Sequence, residues 1–431
     1  MLLALVLGCG VPPPPLDDTS HYRIDVDVRP SESSIRASVD LSFRSPQDSV
    51  EILRFYLHRQ LSVDTVTGAA VAGYSPAVAD PRPPPFMPEA RAIEVTLNRP
   101  LWEAERIDLH FDYGGVVDSW PWWLANIIDE EWVELGLYLP WFPYNYDAYG
   151  PFTFSVDVAT ERGYEVRGFG TADRTIGGAW HLEWRRPVND IVVVASRDLR
   201  TRRLQQDGYT VQVHFTTLGD SAAERIGEDA LSMLRKYANW YGDVGNVELG
   251  LVQSRRAHGG GYTRPGLIVL GQLQSLSSPE QRADYLRYLA HEAAHLWWGR
   301  APATSWEDWL NESFAEYSAM LVVRDLVGEG EYEARIERKR EQARGTVPIW
   351  GMNRGDYSTD EMARQIRLAL YDKGPVLLHE LAVRVGTENF LTWCRELVRG
   401  EVRSTEQALN VLGTLEGEAT ERWFREQLVM R

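Results

Sequence analysis

The hydrophobic pattern of this chain changes near Asp220, and that change limits the folds open to it more than any other feature. Before Asp220, several segments alternate apolar and polar residues with a period of two and end at Pro, Gly, Asp or Ser, which is typical of half-buried β-strands. After it, apolar residues recur at the spacing of amphipathic helices. The sequence therefore predicts a multidomain α+β protein in which an antiparallel β-domain is followed by a mainly helical domain.

We place the boundary between these domains after Arg203. This gives a leader and Pro-rich linker over 1–17, a β-domain over 18–203 and a helical domain over 204–431. The predicted strands are HYRIDVDVRP, ASVDLSFRS, SVEILRFYLH, AIEVTLN, RIDLHFDYGG, PFTFSVDVATERGYEVRGFG, AWHLEWRRP and DIVVVASR, and, within the helical domain, YTVQVHFTT, VELGLVQS and GLIVLG. The predicted helices are 221–241, 278–298, 312–327, 331–343, 360–370, 374–385, 388–398 and 404–413.

The charge of the chain excludes one class of partner. Its formal net charge of −17 disfavours nucleic acid, because a protein that binds phosphates must present a basic surface. With 44% hydrophobic residues and 16 Trp, the 431 residues supply enough apolar material for a core in each domain. The chain is therefore expected to be folded throughout most of its length and to act on something other than nucleic acid.

The first residues, MLLALVLGCG, resemble a bacterial lipobox, in which the cysteine is lipidated and becomes the mature N-terminus. Cys9 would carry the lipid and Pro12 to Pro15 would form a stiff spacer. The alternative is an ordinary cleaved or misread N-terminus, because a secretory signal normally has a basic start and a longer apolar core. Since no later segment approaches the roughly 20 apolar residues of a membrane span, we expect an exported protein of the bacterial cell envelope that contacts the membrane only through this lipid.

One predicted helix contains the sequence His291-Glu292-Ala293-Ala294-His295. Residues four apart lie on one face of a helix, about 6 Å from each other, so both imidazoles can bind a single metal ion. Glu292, about 100° around the helix, can instead reach a water at the open position of the ion and act as general base. The pattern indicates zinc-dependent hydrolysis, and a chance match in a chain of this length has an expectation of order 1%.

A third ligand is available in the segment WLNESFAEY, where Glu312 begins the next predicted helix. Taken alone, Glu312 would be a solvated glutamate favoured by the helix dipole. Beside the histidine motif, we interpret it as the third ligand of one Zn²⁺ ion per chain. Glu316, one turn later, is either a partner of a ligating histidine or an ordinary surface glutamate.

The segments HEAAHLWWG, WLNESFAEY and LYDKG together resemble the M1 family of zinc metallopeptidases, the gluzincins that include aminopeptidase N and leukotriene A4 hydrolase. The resemblance covers most of the chain, including Trp141-Phe142-Pro143. It implies a saddle-like N-terminal β-domain followed by a thermolysin-like catalytic domain. It further implies that His291, His295 and Glu312 bind zinc, that Glu292 is the general base and that Tyr371 stabilises the oxyanion of the tetrahedral intermediate.

The chain departs from the family pattern at three places. The spacer of sixteen residues between His295 and Glu312 is two residues shorter than usual in the family. The glutamate of the family's exopeptidase segment is replaced by Thr263, which weakens the expected binding of a substrate ammonium. The family's large helical C-terminal domain does not follow Tyr371, so we expect an open cleft that admits larger substrates.

Three residues are candidates for binding the substrate. Glu134 stands where the resemblance places the family's other amine-binding glutamate, although an exposed strand glutamate is an equal alternative. Gly260 and Gly261 are in the segment that offers backbone groups to a substrate strand in the family, and simple turn glycines are their alternative.

These expectations combine into two hypotheses of different class. The first is a zinc-dependent peptidase that acts on peptides or proteins, with either aminopeptidase or relaxed endo- and exopeptidase specificity. The second is a zinc-stabilised lipoprotein that binds peptides or assembles with a partner without turnover. Glu292 favours the first, because a scaffold has no use for a water-activating carboxylate beside its metal.

Overall fold

The computed structural model describes residues 19–76, 83–84, 87–120, 126–146, 150–170, 172–245, 247–255, 261–271, 279–303, 305–354 and 359–430. The predicted lipid site at Cys9, the candidate Gly260 and the start of the helix predicted at 278 lie outside these ranges. Within the ranges, no helix is both long and apolar enough to cross a membrane.

The chain forms two compact units that do not follow chain order. The first unit comprises 1–203, 212–223 and 248–273, and the second comprises 204–211, 224–247 and 274–431. The sequence boundary after Arg203 coincides with the end of the first segment, while two later segments group with the β-rich part. The division into 1–17, 18–203 and 204–431 that was proposed from the sequence therefore stays a prediction.

The first unit is built from strands β1 to β13. Their bounds are β1 Ser20–Arg29, β2 Ser34–Arg44, β3 Val50–His58, β4 Ser62–Thr67, β5 Val71–Pro76, β6 Ala90–Leu101, β7 Arg106–Val116, β8 Val133–Leu135, β9 Phe152–Thr160, β10 Glu165–Gly168, β11 Ala172–Arg174, β12 Trp180–Val188 and β13 Val193–Ser196. They form a large sheet with the order β11-β12-β9-β1-β2-β7-β4 and two smaller sheets with the orders β10-β13-β8 and β3-β6-β5.

Alternation along β1 and β2 shows why these segments are strands. Ile24, Val26 and Val28 are buried on one face of β1, and the residues between them point outward. Ile24 pairs with Val39 of β2 in antiparallel register and with Val156 of β9 in parallel register. The predicted antiparallel arrangement is therefore wrong for the β1/β9 pair, because strands distant in sequence can join side by side in either direction.

Aromatic side chains fill the interior of the first unit, and those around the Trp-Phe-Pro segment are hydrogen-bonded. The Tyr113 hydroxyl donates to the carbonyl of Trp141 at 2.8 Å, and Trp141 Nε1 donates to the carbonyl of Ile191 at 3.0 Å. Phe142 packs edge-on against Trp141. The Trp-Phe-Pro segment thus lies in the core of the β-rich unit.

A further sheet of five strands has the order β14-β15-β16-β18-β17. The strands are β14 Arg200–Gln206, β15 Tyr209–Phe215, β16 Val247–Gln253, β17 Gly261–Arg264 and β18 Leu267–Leu270. The two segments predicted as a strand pair, β16 and β18, run parallel, and β17 pairs antiparallel with β18 on the other side.

The helices are α1 Asp220–Tyr241, α2 Pro279–Ala294, α3 Trp309–Leu326, α4 Glu329–Ala343, α5 Asp360–Leu368, α6 Gly374–Val385, α7 Thr387–Arg399, α8 Thr405–Glu416 and α9 Glu418–Val429. Helix α3 is buried along most of its length and packs against α2, α4 and α6. Its Phe314 contacts Trp309 and Trp393, and Trp393 contacts Phe424 of α9. Helix α3 is therefore the central element of the second unit.

Two helix ends differ from the sequence prediction near the functional motifs. Helix α2 ends at Ala294 instead of continuing to 298, because the chain tightens there into a turn in which the His295 amide donates to the backbone carbonyl of Glu292 at 3.3 Å. The helix predicted over 360–370 ends at Leu368 and continues as a π-helical turn, Ala369–Lys373, before α6 begins. This turn contains Tyr371.

Gly374 allows the π-helical turn and α3 to approach each other closely. A Cβ atom placed on Gly374 would lie only 2.0 Å from the hydroxyl oxygen of Ser313. The Ser313 hydroxyl donates to the carbonyl of Leu370 at 2.7 Å, within the same turn. Absence of a side chain at residue 374 therefore sets the spacing between the helix that carries Glu312 and the turn that carries Tyr371.

Candidate active site

The two histidines of the α2 motif lie at and just beyond the C-terminal end of the helix. Their ring centroids are 5.0 Å apart and the rings are almost perpendicular, at 88°. Each ring uses Nδ1 elsewhere: His291 Nδ1 contacts Glu316 Oε2 at 3.0 Å, and His295 Nδ1 donates to the carbonyl of Trp298 at 2.8 Å. This leaves the two Nε2 atoms to face a common point.

Glu312, in the first turn of α3, lies at that point because α2 and α3 pack side by side. Its Oε2 atom is 3.4 Å from Nε2 of His291 and 3.7 Å from Nε2 of His295. One ligand atom from each of the three residues lies within 4.8 Å of the other two. The structure therefore brings together the three residues predicted from the sequence as metal ligands.

The donor set fits a zinc ion. Glu312 Oε2 is buried and has no hydrogen-bond partner among the described residues, as expected for an atom that binds a metal. Two imidazole nitrogens and one carboxylate oxygen are the ligands of catalytic zinc sites that keep one position open. Burial alone would raise the pKa of Glu312, but His291 and His295 lower it to about 2, so the carboxylate is charged and ready to bind a cation.

Glu316 is not a surface residue. Its side chain is only 1% exposed, and its carboxylate accepts the hydrogen bond from His291 Nδ1 that directs Nε2 toward the metal position. The sequence left two interpretations of Glu316 open, and the structure supports the one in which Glu316 is the partner of a ligating histidine.

Two cations balance the buried Glu316 carboxylate, and we call these three residues the Glu316 ion network. Arg287 NH1 lies 2.8 Å from Oε2, and Lys339 Nζ lies 2.8 Å from Oε1. Burial would raise the pKa of Glu316, but Lys339, Arg287 and His291 together hold it well below its ordinary value. The carboxylate therefore stays charged despite its burial.

The same carboxylates control His291. Burial would lower the pKa of this imidazole, but the neighbouring carboxylates of Glu312 and Glu316 raise it to about 10. In the absence of a metal the ring thus carries a proton, and a metal must displace that proton to bind.

Glu292 and Tyr371 flank the three ligands. Glu292 is buried, and its charge acts on both His291 and Tyr371. The ring of Tyr371 lies 5.7 Å from that of His291, inclined by 36°. Burial and the charge of Glu312 raise the pKa of Tyr371 well above its ordinary value, so the phenol keeps its proton and can serve as a hydrogen-bond donor.

The remaining candidates belong to the first unit. Glu134 in β8 is fully buried, and its carboxylate accepts hydrogen bonds from Trp132 Nε1 at 3.1 Å, Ser254 Oγ at 2.6 Å and the Tyr262 hydroxyl at 3.1 Å. The alternative prediction, that Glu134 is an exposed strand glutamate, is therefore wrong. Gly261 begins β17, opposite Leu270 of β18.

Thr263 and Arg264 follow Gly261 in β17. Thr263, which replaces the glutamate expected from the resemblance, pairs with Ile268 of β18. Arg264 Nε donates to the fully buried carboxylate of Asp190 at 2.8 Å. Strand β17, in which Thr263 replaces the expected glutamate, thus also contains Arg264, whose positive charge is balanced by the buried Asp190.

Sequence reasoning missed Arg287 and Lys339. Arg287 had a signal, since it precedes His291 by four residues and so shares its helix face. Lys339 is one of only three lysines in the chain, and its role depends on the packing of α4, which no local pattern reveals.

Residues 263–424 match the model of the peptidase family M1 domain. This region is similar to M1 peptidase domains. The match includes the motif helix, Glu312 and Tyr371, and it confirms the family that the sequence motifs resemble.

Curated relatives of this M1 domain are aminopeptidases by name. "Probable aminopeptidase 1" of Saccharolobus solfataricus is 31% identical over 123 residues, which are 26% of this chain and 15% of that protein. The protein of the same name from Sulfurisphaera tokodaii is 27% identical over 193 residues, which are 41% of this chain and 24% of that protein. The chain thus spans about a quarter or less of the length of these relatives.

Solved structures of similar fold extend over almost the whole chain. The M1 zinc metallopeptidase of Deinococcus radiodurans has a TM-score of 0.68 at 21% identity, over 95% of this chain and 94% of that chain. A two-domain M1 zinc metallopeptidase mutant bound to L-tryptophan has a TM-score of 0.68 at 20% identity, over 96% and 94%. These likenesses confirm the predicted fold class, a β-rich N-terminal part followed by a mainly helical part.

Proposed function

We propose that this protein is a zinc-dependent peptidase that hydrolyses peptide bonds. One observation carries the proposal: Nε2 of His291, Nε2 of His295 and the orphaned Oε2 of Glu312 converge on one point, with the Glu292 carboxylate and the Tyr371 phenol beside it. A purely structural metal site would be closed by a fourth protein ligand. None is present at this point among the described residues.

The protein's own residues divide the reaction among them. His291, His295 and Glu312 would hold the zinc ion, which would act as a Lewis acid on the scissile carbonyl and lower the pKa of water. Glu292 removes a proton from the attacking water and delivers it to the leaving amine. Tyr371 donates a hydrogen bond to the oxygen that becomes negative in the tetrahedral intermediate, and its elevated pKa keeps that donor proton in place.

The test is Glu292→Gln, which removes the base and preserves the shape of the side chain. We expect zinc content to remain at one ion per chain while hydrolysis of a peptide library falls by about 10²-fold to 10⁴-fold. Glu388→Gln, at an exposed position on α7, serves as the matched control and should hydrolyse as the parent does. Cleavage that survives Glu292→Gln would refute the mechanism. Absence of cleavage by the parent itself, on a broad library, would favour the peptide-binding scaffold.

The substrate terminus is the finer part of the proposal. The relatives named aminopeptidases support recognition of a free N-terminus, and Glu134 is the carboxylate we assign to the ammonium group. Thr263, in place of the family's other glutamate, supports relaxed specificity. Peptides with free and acetylated N-termini distinguish strict from relaxed specificity. An aminopeptidase rejects the acetylated peptide, whereas a relaxed enzyme cleaves both. Glu134→Gln should reduce any difference in cleavage rate between the free and the acetylated peptide.

We further propose that the protein is exported and held to the bacterial cell envelope by a lipid on Cys9. The motif at residues 6–9 supports this proposal. Metabolic labelling with a fatty acid should mark the parent and not Cys9→Ala, and label on neither protein would refute the anchor.

A further inference from the structure

Lys339 of α4 lies behind the metal ligands and contacts two elements at once. Its Nζ atom is 2.8 Å from Glu316 Oε1 and donates to the carbonyl of Tyr371 at 2.7 Å and to Asp372 Oδ1 at 3.4 Å. The side chain is only 13% exposed. All three protons of the ammonium group thus have an acceptor, and those acceptors lie on α3 and on the π-helical turn.

The first contact leads to the metal site. The Glu316 carboxylate that receives Lys339 on Oε1 receives His291 Nδ1 on Oε2. A carboxylate held on one side can orient the imidazole on its other side, and such outer partners determine how well a ligand faces its metal. The position of Lys339 therefore influences the direction of His291 Nε2.

The second contact leads to the tyrosine. In a regular α-helix the carbonyl of Tyr371 would bond to the amide of residue 375, but Pro375 has no N–H to give. The structure supplies side-chain donors in this turn: Ser313 of α3 donates to the carbonyl of Leu370, and Lys339 of α4 donates to that of Tyr371. The backbone that aims the phenol is thus held from two neighbouring helices.

We propose that Lys339 is a positioning residue that holds the imidazole of His291 and the phenol of Tyr371 in one fixed relation. Its single ammonium group joins the carboxylate behind a metal ligand to the backbone of the oxyanion donor. The roles of zinc and Tyr371 in this statement rest on the proposed peptidase function.

Arg287 separates this role from simple neutralisation of charge. It also pairs with the Glu316 carboxylate, at 2.8 Å, and it makes no hydrogen bond to the π-helical turn among the described contacts. If Lys339 only balanced the charge of Glu316, loss of either cation would have the same consequence. If it positions Tyr371 as well, the two losses differ.

The experiment compares Lys339→Met, Arg287→Met and Arg335→Met in the full chain. Arg335 is one turn from Lys339 on α4 and pairs with Asp284 and Glu331, away from the ligands, so it controls for loss of a cation from this helix. Three quantities are measured: zinc affinity by chelator competition, kcat and KM at saturating zinc, and hydrogen exchange of the amides of 369–374. Thermal unfolding verifies that each variant is folded, and Lys339→Gln replaces Lys339→Met if the latter is not.

For Lys339→Met we expect zinc affinity to fall about tenfold and, with zinc saturating, kcat to fall about tenfold to hundredfold with KM unchanged. Exchange of the 369–374 amides should be faster. Arg287→Met should lower zinc affinity by a similar factor. At saturating zinc, however, its kcat should equal that of the parent, and the amides of 369–374 should exchange at the parental rate. Arg335→Met should match the parent in zinc affinity and exchange.

Two results would overturn the proposal. One is that Lys339→Met and Arg287→Met are equivalent in kcat and exchange once zinc is saturating, which would reduce Lys339 to charge balance. The other is that Lys339→Met behaves as Arg335→Met does. If the parent proves to have no peptidase activity, the proposed function fails, while zinc affinity and amide exchange still decide whether Lys339 links the two elements.

Discussion

A buried histidine paired with a polar neighbour occurs in both units, and the two rings are in opposite states. In the second unit, the neighbouring carboxylates of Glu312 and Glu316 overcome burial and raise the pKa of His291 to about 10. In the first unit, burial together with the charge of Arg167 lowers the pKa of His214 to about 3. Its Nδ1 contacts only the Thr201 hydroxyl, at 3.0 Å, and its Nε2 has no hydrogen-bond partner among the described residues.

Two buried glutamates, one in each unit, differ in the partners described for them. Glu316 is balanced by Arg287 and Lys339, whereas the described donors to Glu134 are the neutral groups of Trp132, Ser254 and Tyr262. Burial is complete or nearly so in both cases. Depth alone therefore does not set the charge state of Glu316, because Lys339, Arg287 and His291 keep this buried carboxylate charged beside the proposed metal site.

The largest expected effect comes from exchanging each glutamate for its neutral isostere. Glu316→Gln leaves two cations facing an amide in a buried place, so the second unit should lose about 3 to 5 kcal/mol of stability. In Glu134→Gln the amide oxygen can still accept from Trp132 and Ser254 while the amide nitrogen donates to the Tyr262 hydroxyl, so the first unit should lose about 1 kcal/mol. Urea unfolding followed by hydrogen exchange in each unit measures both. Equal losses would show that Arg287 and Lys339 regain water in the variant, and the contrast would fail.

The second effect concerns acid. The folded pKa of His214, about 3, lies below the unfolded value of 6.5, so between these pH values the unfolded chain binds a proton that the folded chain refuses. Stability present above pH 6.5 is therefore lost as the pH falls, by about 3 kcal/mol at pH 4. The variant His214→Gln has no imidazole to protonate, so it should not lose this stability as the pH falls. The free energy of unfolding of parent and variant, measured from pH 7 to pH 4, should diverge by that amount, and parallel curves would contradict the assignment.

The third effect concerns zinc and His291. Without metal, the raised pKa stabilises the folded protein below pH 6.5, and this contribution is lost as the pH rises through about 10. Zinc must displace the proton at neutral pH, so its affinity should rise about tenfold per pH unit from 7 to 8.5. Chelator competition at each pH, corrected for the chelator's own protons, measures the slope.

Glu316→Gln sharpens the zinc measurement. The variant removes one of the two carboxylates that raise the pKa of His291, so the dependence of zinc affinity on pH should become shallower. An affinity independent of pH in the parent would mean that the imidazole is already neutral at pH 7.

The metal ligands were predictable because they obey local rules. His291 and His295 were expected on one helix face, and Glu312 lies in the first turn of the helix that returns beside them. Tyr371 was reached through family resemblance alone, since nothing in its spacing marks it. The wide turn that carries it follows from Pro375 and Gly374 acting with Ser313, a combination that a periodicity argument does not contain.

Other features required information from distant parts of the chain. The parallel pairing of β1 with β9 joins residues more than a hundred positions apart, such as Ile24 and Val156. Helix α9, Glu418–Val429, was not predicted, because few apolar residues mark its buried face; Phe424 and Leu428 bury it against the rest of the second unit. Lys339 likewise acquires its contacts only when α4 packs against α3.

The contact at Gly374 has a practical meaning for anyone who wishes to stabilise this protein. Replacing helical glycines by alanine commonly adds up to about 1 kcal/mol. Gly413 in α8 is suited to that change, since a methyl group there would meet Glu421 at an ordinary 3.4 Å. At Gly374 the same methyl group would collide with Ser313 and push the helix that carries Glu312 away from the turn that carries Tyr371, so a routine thermostabilising substitution would disturb the proposed metal site.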